Sequence, residues 1–436
     1  MNPSNPSRRT FLGASALAAA GILLAPRRLP GVEAPAVVSR RLQTIRLGFI
    51  GVGRQSIGLM NNFSKVPGVE VVAGADVYAI KRERFERRVR KTYAEQGRPD
   101  PVVKMYTDYR ELLASPEVDA VVIASPDHWH ALMAIHACQA RKDIFLEKPL
   151  TLTIKEGQEL VRAVRAHGVV LAVGSMQRSA VNFQHAAAMV HKGALGKISE
   201  VLVHVGANPH PKPFDLVPQE VPAGLDWKAW NGPLPMMPFH DNLNPAITLE
   251  PEQNEKIWGA WRLYRESGGG ALTDWGAHMI DIAQWGLSMD HSGPVHVAPA
   301  TAEKPLTYRY ASGIEMRVAS FDEGRQAVKF IGERGWIKVS RGQYDTSLPE
   351  LGLEKLPEHF AFTPHYLDFI ESIRRRKDPI VPVEIGHSTC VSCTLGNIAH
   401  ELGRPLKWDP LGETFVGDAE ANGRLHYAYQ NGYSLV

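Results

Sequence analysis

Two short motifs carry the side chains on which a reaction could run. Glu147-Lys148-Pro149 follows the apolar stretch Asp143-Ile-Phe-Leu146, and the proline fixes the backbone so that Lys148 is aimed into the crevice at a strand end. Asp274-Trp-Gly-Ala-His278 spaces a carboxylate and an imidazole by one helical turn, so that the acid could orient the ring and favour its protonated form. A histidine held this way takes up a proton near neutral pH. These are the parts needed to oxidise a secondary alcohol. His278 would take the hydroxyl proton, Asp274 would orient His278, and Lys148 would offset charge on the developing alkoxide as the hydride leaves carbon. Each motif alone also has a plain structural reading, as a solvated strand-end lysine and as a surface Asp–His pair.

A hydride needs an acceptor, and Ile45 to Asp76 reads as the unit that would hold one. Ile45-Arg-Leu-Gly-Phe-Ile50 is a short apolar strand feeding Gly51-Val-Gly53-Arg54-Gln55-Ser56-Ile-Gly58. Gly51 permits the tight turn, and Gly53 lets a pyrophosphate approach the N–H groups that open the next helix. Ser56 stands where the strict G-x-G-x-x-G pattern wants glycine, and Gly58 comes two residues late. A second strand, Val69–Ala75, delivers Asp76, whose carboxylate can accept from a ribose 2′-hydroxyl and so favours NAD; Lys81 and Arg82 keep NADP open.

Several further residues join the candidate set. The apolar strand Val121–Ala124 ends in Ser125-Pro126-Asp127-His128-Trp129-His130, a loop expected to border the nicotinamide. The cofactor-contacting set is therefore Gly51, Gly53, Arg54, Gln55, Ser56, Asp76, Ser125, Pro126, His128, His130, Glu147 and Lys148. The substrate set is Lys148, Gln177, Arg178, Asp274 and His278. His128-x-His130 without nearby acids or cysteines is a poor ligand set, and no metal is expected.

The surrounding elements follow from pattern. Thr153 and Glu156 make a capping box for a helix ending at Gly168. Residues 44–168 form the first domain, 169–408 the second, and 409–436 a C-terminal extension. Residues 206–255 hold ten prolines, which preclude regular structure and suggest a long ordered loop, with Trp227, Trp230, Trp258, Trp261 and Tyr264 as anchors. Gly268 to Trp285 reads as a glycine loop and a two-faced helix, with Leu272, Trp275, Met279 and Ile282 apolar and Asp274, His278 and Asp281 opposite. Alternating runs at 313–318, 326–331 and 336–339 read as antiparallel hairpins. Residues 365–403 are helical, with Cys390 and Cys393 as buried structural cysteines.

The chain has 436 residues, 44% hydrophobic and 22% charged, enough for two cored domains. Its net charge of +3 is misleading, because six arginines and one glutamate in residues 1–41 leave −2 for the rest. No basic surface for nucleic acid is implied. Ser7-Arg8-Arg9-Thr10-Phe11-Leu12 and the Ala/Gly/Leu-rich run to Ala25 are too short for a comfortable bilayer span. They resemble a twin-arginine export signal, which implies a periplasmic protein, the twin-arginine translocation machinery as partner, and a retained N-terminal segment as an alternative to cleavage.

The glycine turn, Asp76, Glu147-Lys148-Pro149 and Asp274-x-x-x-His278 together resemble the Gfo/Idh/MocA family of oxidoreductases, across almost the whole chain after residue 44. The Pro-Asp-His-Trp-His loop is closest to its exported, sugar-associated branch. The resemblance implies an α/β chain: a Rossmann doubly wound parallel sheet, then an α+β domain with a large, mostly antiparallel open sheet that often makes oligomer contacts, here a dimer or tetramer. It assigns similar roles to the matching Lys148, Asp274 and His278. The expected activity is NAD(P)-dependent oxidation or reduction of a secondary hydroxyl or ketone of a sugar, cyclitol or glycoside, with tightly held cofactor because no free nicotinamide pool is expected outside the cytoplasm. A redox-neutral cycle that epimerises or cleaves a glycoside is the alternative within enzymes. A non-catalytic carbohydrate-binding protein is the alternative outside them, and the intact Lys148, Asp274 and His278 argue against it.

Overall fold

A computed structural model describes residues 44–322, 324–353 and 362–435; the twin-arginine segment lies outside the described residues. The first sheet has six parallel strands, β1 (Ile45–Ile50), β2 (Val69–Ala75), β3 (Lys104–Tyr106), β4 (Ala120–Ile123), β5 (Asp143–Leu146) and β6 (Leu171–Val173), in the order β3-β2-β1-β4-β5-β6. Every residue of β4 and β5 is buried, because helices cover both faces of a parallel sheet; that is why these strands read as unbroken apolar runs. The chain direction of travel reverses between β1 and β4, which opens a crevice at their carboxyl ends. Leu171–Val173, assigned by sequence to the second domain, pairs with β5, so the passage out of the first sheet falls after Val173 rather than at 169.

Local signals explain the element ends. Thr153 Oγ1 accepts from Glu156 N and the Glu156 carboxylate accepts from Thr153 N, so the capping box starts the helix Ile154–His167 as expected; Gly168, at φ +62°, ends it.

The second sheet has nine strands: β7 (Ile198–His204), β8 (His296–Ala298), β9 (Leu306–Arg309), β10 (Glu315–Val318), β11 (Ala327–Gly332), β12 (Trp336–Ser340), β13 (Gln343–Thr346), β14 (Leu406–Asp409) and β15 (Thr414–Phe415). Their order is β13-β12-β11-β7-β10-β9-β8-β14-β15, antiparallel except for β10 against β7. Val201, Val203, Met316, Val328 and Phe330 on one face pack against Phe183, Met279, Ile282, Leu395 and Ile398 from helices Val181–His191, Gly276–Gly286 and Val383–Leu402. The fit is close: a Cβ on Gly286 would stand 2.4 Å from the Phe330 ring. Cys390 and Cys393 are free and buried on the last of these helices.

In the connection between β7 and β8, residues 206–255 contain one short helix, Trp227–Asn231, and otherwise turns and extended chain. Trp227 and Trp230 stack at 4.3 Å and share a separate apolar cluster with Leu234, Phe239, Trp261 and Tyr264, so most of these aromatics anchor the segment. The stretch after 409 is no loose appendage. Its first residues edge the second sheet, and its last reach the first domain, where Tyr429 Oη donates to Glu156 Oε1 at 2.6 Å, and the proline-rich segment, where Gln430 N donates to the Pro233 carbonyl at 2.8 Å.

Candidate active site

Two joined cavities open at the carboxyl ends of the first sheet, and they share Gln55, Ser125, Trp258 and Arg262 in their walls. The first, about 240 Å³, is lined by Gly51, Gly53, Arg54, Gln55, Asp76, Ser125 and Pro126, with Trp230 and Tyr433 from distant parts of the chain. Gly51 takes φ +77°, and a Cβ there would lie 2.8 Å from the Ser125 backbone. Gly53 precedes the helix Arg54–Phe63, whose first turn has no side-chain cap and no acid. A Cβ on Gly53 would meet Glu255 Oε1 at 3.5 Å and Lys81 Nζ at 3.9 Å, so the glycine leaves room between the turn and this ion pair, beside the uncapped N–H groups that a pyrophosphate needs. Asp76 lines the cavity and braces this turn by accepting from Val52 N and Tyr78 N, both at 2.9 Å. A nicotinamide dinucleotide fits this donor set.

Two cofactor assignments are corrected. Ser56 does not line the cavity; it is fully buried and its hydroxyl donates to the Gly51 carbonyl, which closes the turn where the usual glycine is missing. His128 is buried with Nε2 at 2.9 Å from the Trp230 carbonyl, in neither cavity. The cations that kept a 2′-phosphate open are engaged as well. Lys81 Nζ lies 2.6 Å from Asn244 Oδ1 and 3.1 Å from Glu255 Oε1, and Arg82 donates to the Asp76 carbonyl at 2.6 Å.

The second cavity, about 580 Å³, collects the reactive groups: Lys148, Asp274 and His278 all line it, with Glu147 and His130. Their pairing differs from the sequence expectation. Helix Ala271–Asp274 stops at Trp275 before Gly276–Gly286 begins, so the chain between Asp274 and His278 is not one continuous turn. Asp274 Oδ1 instead meets Lys148 Nζ at 2.5 Å, with Arg262 Nε at 3.7 Å, and burial notwithstanding these cations hold the carboxyl below its usual range. His278 receives Arg341 Nη2 on Nε2 at 3.1 Å. An arginine can only donate, so Nε2 is the acceptor and the ring is neutral, with its proton on Nδ1. Burial, then the Lys148 and Arg341 charges, drive its pKa well below 6.5, opposite to the expected stabilisation of the cation.

The rest of the wall is set by burial. Glu147 Oε1 accepts from Gln55 Nε2 at 2.8 Å, joining the Lys148 strand end to the glycine turn, and desolvation raises its pKa. Asp127 opens the helix Asp127–Gln139, and burial pushes it up to about 8. His130 meets the carbonyls of Pro149 at 2.7 Å and Ser125 at 3.0 Å, and burial outweighs both in lowering it to about 4.

Of the two remaining substrate candidates, Gln177 stands behind the wall, accepting from Arg341 Nη2 at 3.3 Å. Arg178 is a correction: it is 2% exposed and paired with Asp281 at 2.8 Å and Asp290 at 2.7 Å, out of reach of both cavities. Asp281 itself is fully buried, so the expected polar face of that helix is interior. Sequence reasoning did not name Arg341, Arg262 or Trp258 as site residues. Arg341 comes from a hairpin tip whose direction no local pattern encodes, and Trp258 was visible only as one aromatic among many.

A dinucleotide cradle at the switch point of a parallel sheet, joined to a second cavity that holds a lysine and a neutral histidine, defines a two-domain nicotinamide-dependent oxidoreductase. The chain belongs to the Gfo/Idh/MocA oxidoreductase family. Residues 45–175 match that family's NAD-binding Rossmann fold and residues 210–435 its C-terminal alpha/beta domain. Over 171 residues it is 32% identical to a glycosyl hydrolase family 109 protein of Shewanella sp. (strain W3-18-1), 36% of each chain. It is 33% identical over 170 residues to the uncharacterized oxidoreductase YrbE of Bacillus subtilis (strain 168), covering 39% of this chain and 46% of that one. The match thus spans roughly a third to a half of these relatives. Among solved structures, the aldose-aldose oxidoreductase of Caulobacter crescentus shares the fold with a TM-score of 0.57 at 19% identity, over 84% of this chain and 99% of that one. So does a scyllo-inositol dehydrogenase of Lactobacillus casei with bound NAD(H) and scyllo-inositol, at a TM-score of 0.54 and 17% identity, over 84% and 99%.

Proposed function

We propose that this oxidoreductase is exported through the twin-arginine route and oxidises a secondary hydroxyl of a sugar, cyclitol or glycoside, using NAD that it keeps. One observation carries the reading: the Lys148 ammonium and the neutral His278 imidazole face one cavity that runs directly into the dinucleotide cradle. NAD, when bound by the glycine turn and Asp76, supplies the hydride acceptor. His278 takes the hydroxyl proton at Nε2. Lys148 Nζ donates to the substrate oxygen as charge develops there, and Asp274 holds Lys148 in place.

Cofactor retention is supported by the segment that closes over the cradle. Residues 250–255 are fastened along the basic helix Ala79–Glu95 by Glu250–Arg87 at 2.7 Å, Glu252–Arg88, and Glu255 with Arg84 at 2.8 Å and Lys81 at 3.1 Å. Trp258 then lies under Arg54 of the glycine turn at 4.4 Å. A redox-neutral cycle that epimerises or cleaves a glycoside, with no net oxidation of the substrate, is the second reading, favoured by the glycosyl hydrolase family 109 relatives. Denaturing the purified protein and assaying released dinucleotide tests the proposal: stoichiometric NAD is expected. Absence of released dinucleotide, with no binding of added NAD, would sink it. His278→Ala is expected to abolish turnover and spare cofactor binding.

A further inference from the structure

Arg341 stands at the tip of the β12–β13 hairpin, where Ser340 pairs with Gln343 and Gly342 makes the turn at φ +72°. The buried Asn182 amide donates to the carbonyls of Ser340 at 2.7 Å and Gln343 at 3.0 Å, which fixes the tip against the helix Val181–His191. The Arg341 side chain lines the second cavity, with its guanidinium 4.8 Å from the Trp275 ring centroid. It remains accessible.

Its partners set it apart. Of the other cations at the two cavities, Lys148 and Arg262 share Asp274, Lys81 has Glu255 and Arg110 has Asp108, while Arg54 in the first cavity lies over the Trp258 ring; in the second cavity every cation but Arg341 faces a carboxylate. Arg341 has only two neutral acceptors, Gln177 Oε1 at 3.3 Å and His278 Nε2 at 3.1 Å, and no ion pair among the described residues. Lys148, Arg262 and Arg341 therefore confront Asp274, which these cations hold below its usual range despite burial, and Glu147 and Asp127, whose carboxyls burial pushes up towards the neutral form. The wall carries surplus positive charge, and the unpaired part of it is a planar fork of N–H donors. That fork matches the two coplanar oxygens of a carboxylate.

Resting on the hydride-transfer reading of this site, we propose that the substrate is an acidic carbohydrate, a uronic or aldonic acid or a glycoside of one, whose carboxylate is held by Arg341. The same contact ties binding to chemistry. Arg341 covers the Nε2 lone pair of His278; a carboxylate that draws the guanidinium to itself clears that lone pair for the hydroxyl proton. A neutral sugar leaves it covered.

The NAD-loaded protein should be titrated calorimetrically with methyl β-glucuronide, methyl α-galacturonide and the methyl esters of both, which keep every hydroxyl and lose the charge. At least one acid is expected to bind about 10- to 100-fold more tightly than its ester. Arg341→Met should bring acid and ester within about threefold, and Arg341→Lys should restore only part of the difference. Esters that bind as well as acids, or a preference that survives Arg341→Met, would overturn the proposal; glucose 6-phosphate binding more tightly than either acid would overturn the carboxylate. An acid preference without reduction of bound NAD would sustain the anion site and refute the oxidation reading instead.

Discussion

Asp274 and His278, four residues apart, do not touch as base and orienting acid: Asp274 Oδ1 lies 2.5 Å from Lys148 Nζ, and His278 Nε2 receives Arg341. Asp274 is therefore a positioning residue for the lysine. On the proposed mechanism, Lys148→Met should lower kcat by about 10²- to 10³-fold, the effect of removing one preorganised donor. Asp274→Asn should lower kcat less and leave the acid limb of the pH–rate profile unmoved. Single-turnover reduction of bound NAD measures both. An acid limb that shifts in Asp274→Asn would restore the direct Asp274–His278 coupling.

Glu255 is 4% exposed between Arg84 and Lys81, at 0% and 10%. Glu255→Gln leaves two buried cations short of a partner, a change that costs about 3–5 kcal/mol in comparable pairs. The variant should unfold at lower urea concentration and release its dinucleotide faster after dilution. Raising the salt should speed release in the unaltered protein, because the outer pairs Glu250–Arg87 and Glu252–Arg88 are partly exposed and screened. Release rates independent of both would separate this segment from cofactor retention.

Arg178 and Asp281 form a buried pair at 2.8 Å, 2% and 1% exposed. Arg178→Met should cost about 3–5 kcal/mol by leaving Asp281 uncompensated, with Asp290 also losing a partner. The substrate KM of the folded variant should not move. A large rise in KM at unchanged stability would return Arg178 to the binding site.

Stability should fall as pH rises above 6.5. Burial lowers His128, His130 and His365 to about 4 and His278 well below 6.5. Between 6.5 and 4 the unfolded chain binds protons that these rings refuse, so their contribution is present above 6.5 and lost in acid. Burial raises Asp127 to about 8 and Glu156 to about 7, so from about 4 upward the folded chain holds protons that the unfolded chain releases, and stability falls as pH rises. Below 6.5 the buried rings oppose Asp127, Glu156 and the other acids that burial raises, among them Glu147 and Asp281; above 6.5 the acids act without the rings. Each net proton contributes about 1.4 kcal/mol per pH unit. Urea midpoints at pH 5, 6.5 and 8 would show the fall, and Asp127→Asn should flatten the alkaline side; a steady rise to pH 8 would contradict the assignment.

The sequence was most legible where a signal is local. Thr153 and Glu156 cap a helix through contacts three residues apart, and unbroken apolar runs such as Ala120–Ile123 can only be strands covered on both faces. Gly51, Gly53 and Asp76 were readable because a cradle must be made of backbone and one acid. Local spacing misled where it was taken to choose partners: Asp274 and His278 are four residues apart, but Lys148 takes the carboxylate and Arg341 the imidazole. Arg178 failed for another reason, since its acids Asp281 and Asp290 lie more than a hundred residues away and only packing reveals that the charge is spent. Arg341 belongs to the same class, a polar residue whose meaning depends on where a hairpin tip is pinned.

The segment carrying Tyr429 and Tyr433 ties the cradle to a distant part of the chain. Tyr433 stands in the first cavity's wall, its ring edge-on to Trp129 at 5.3 Å, while Tyr429 is bonded to Glu156. In the chain, all fifteen strands among the described residues precede this segment, which nonetheless supplies Tyr433 to the wall. The coenzyme site therefore closes only when chain from near Gly51 and chain from near Tyr433 have folded onto one another, so dinucleotide affinity reports on the packing of both.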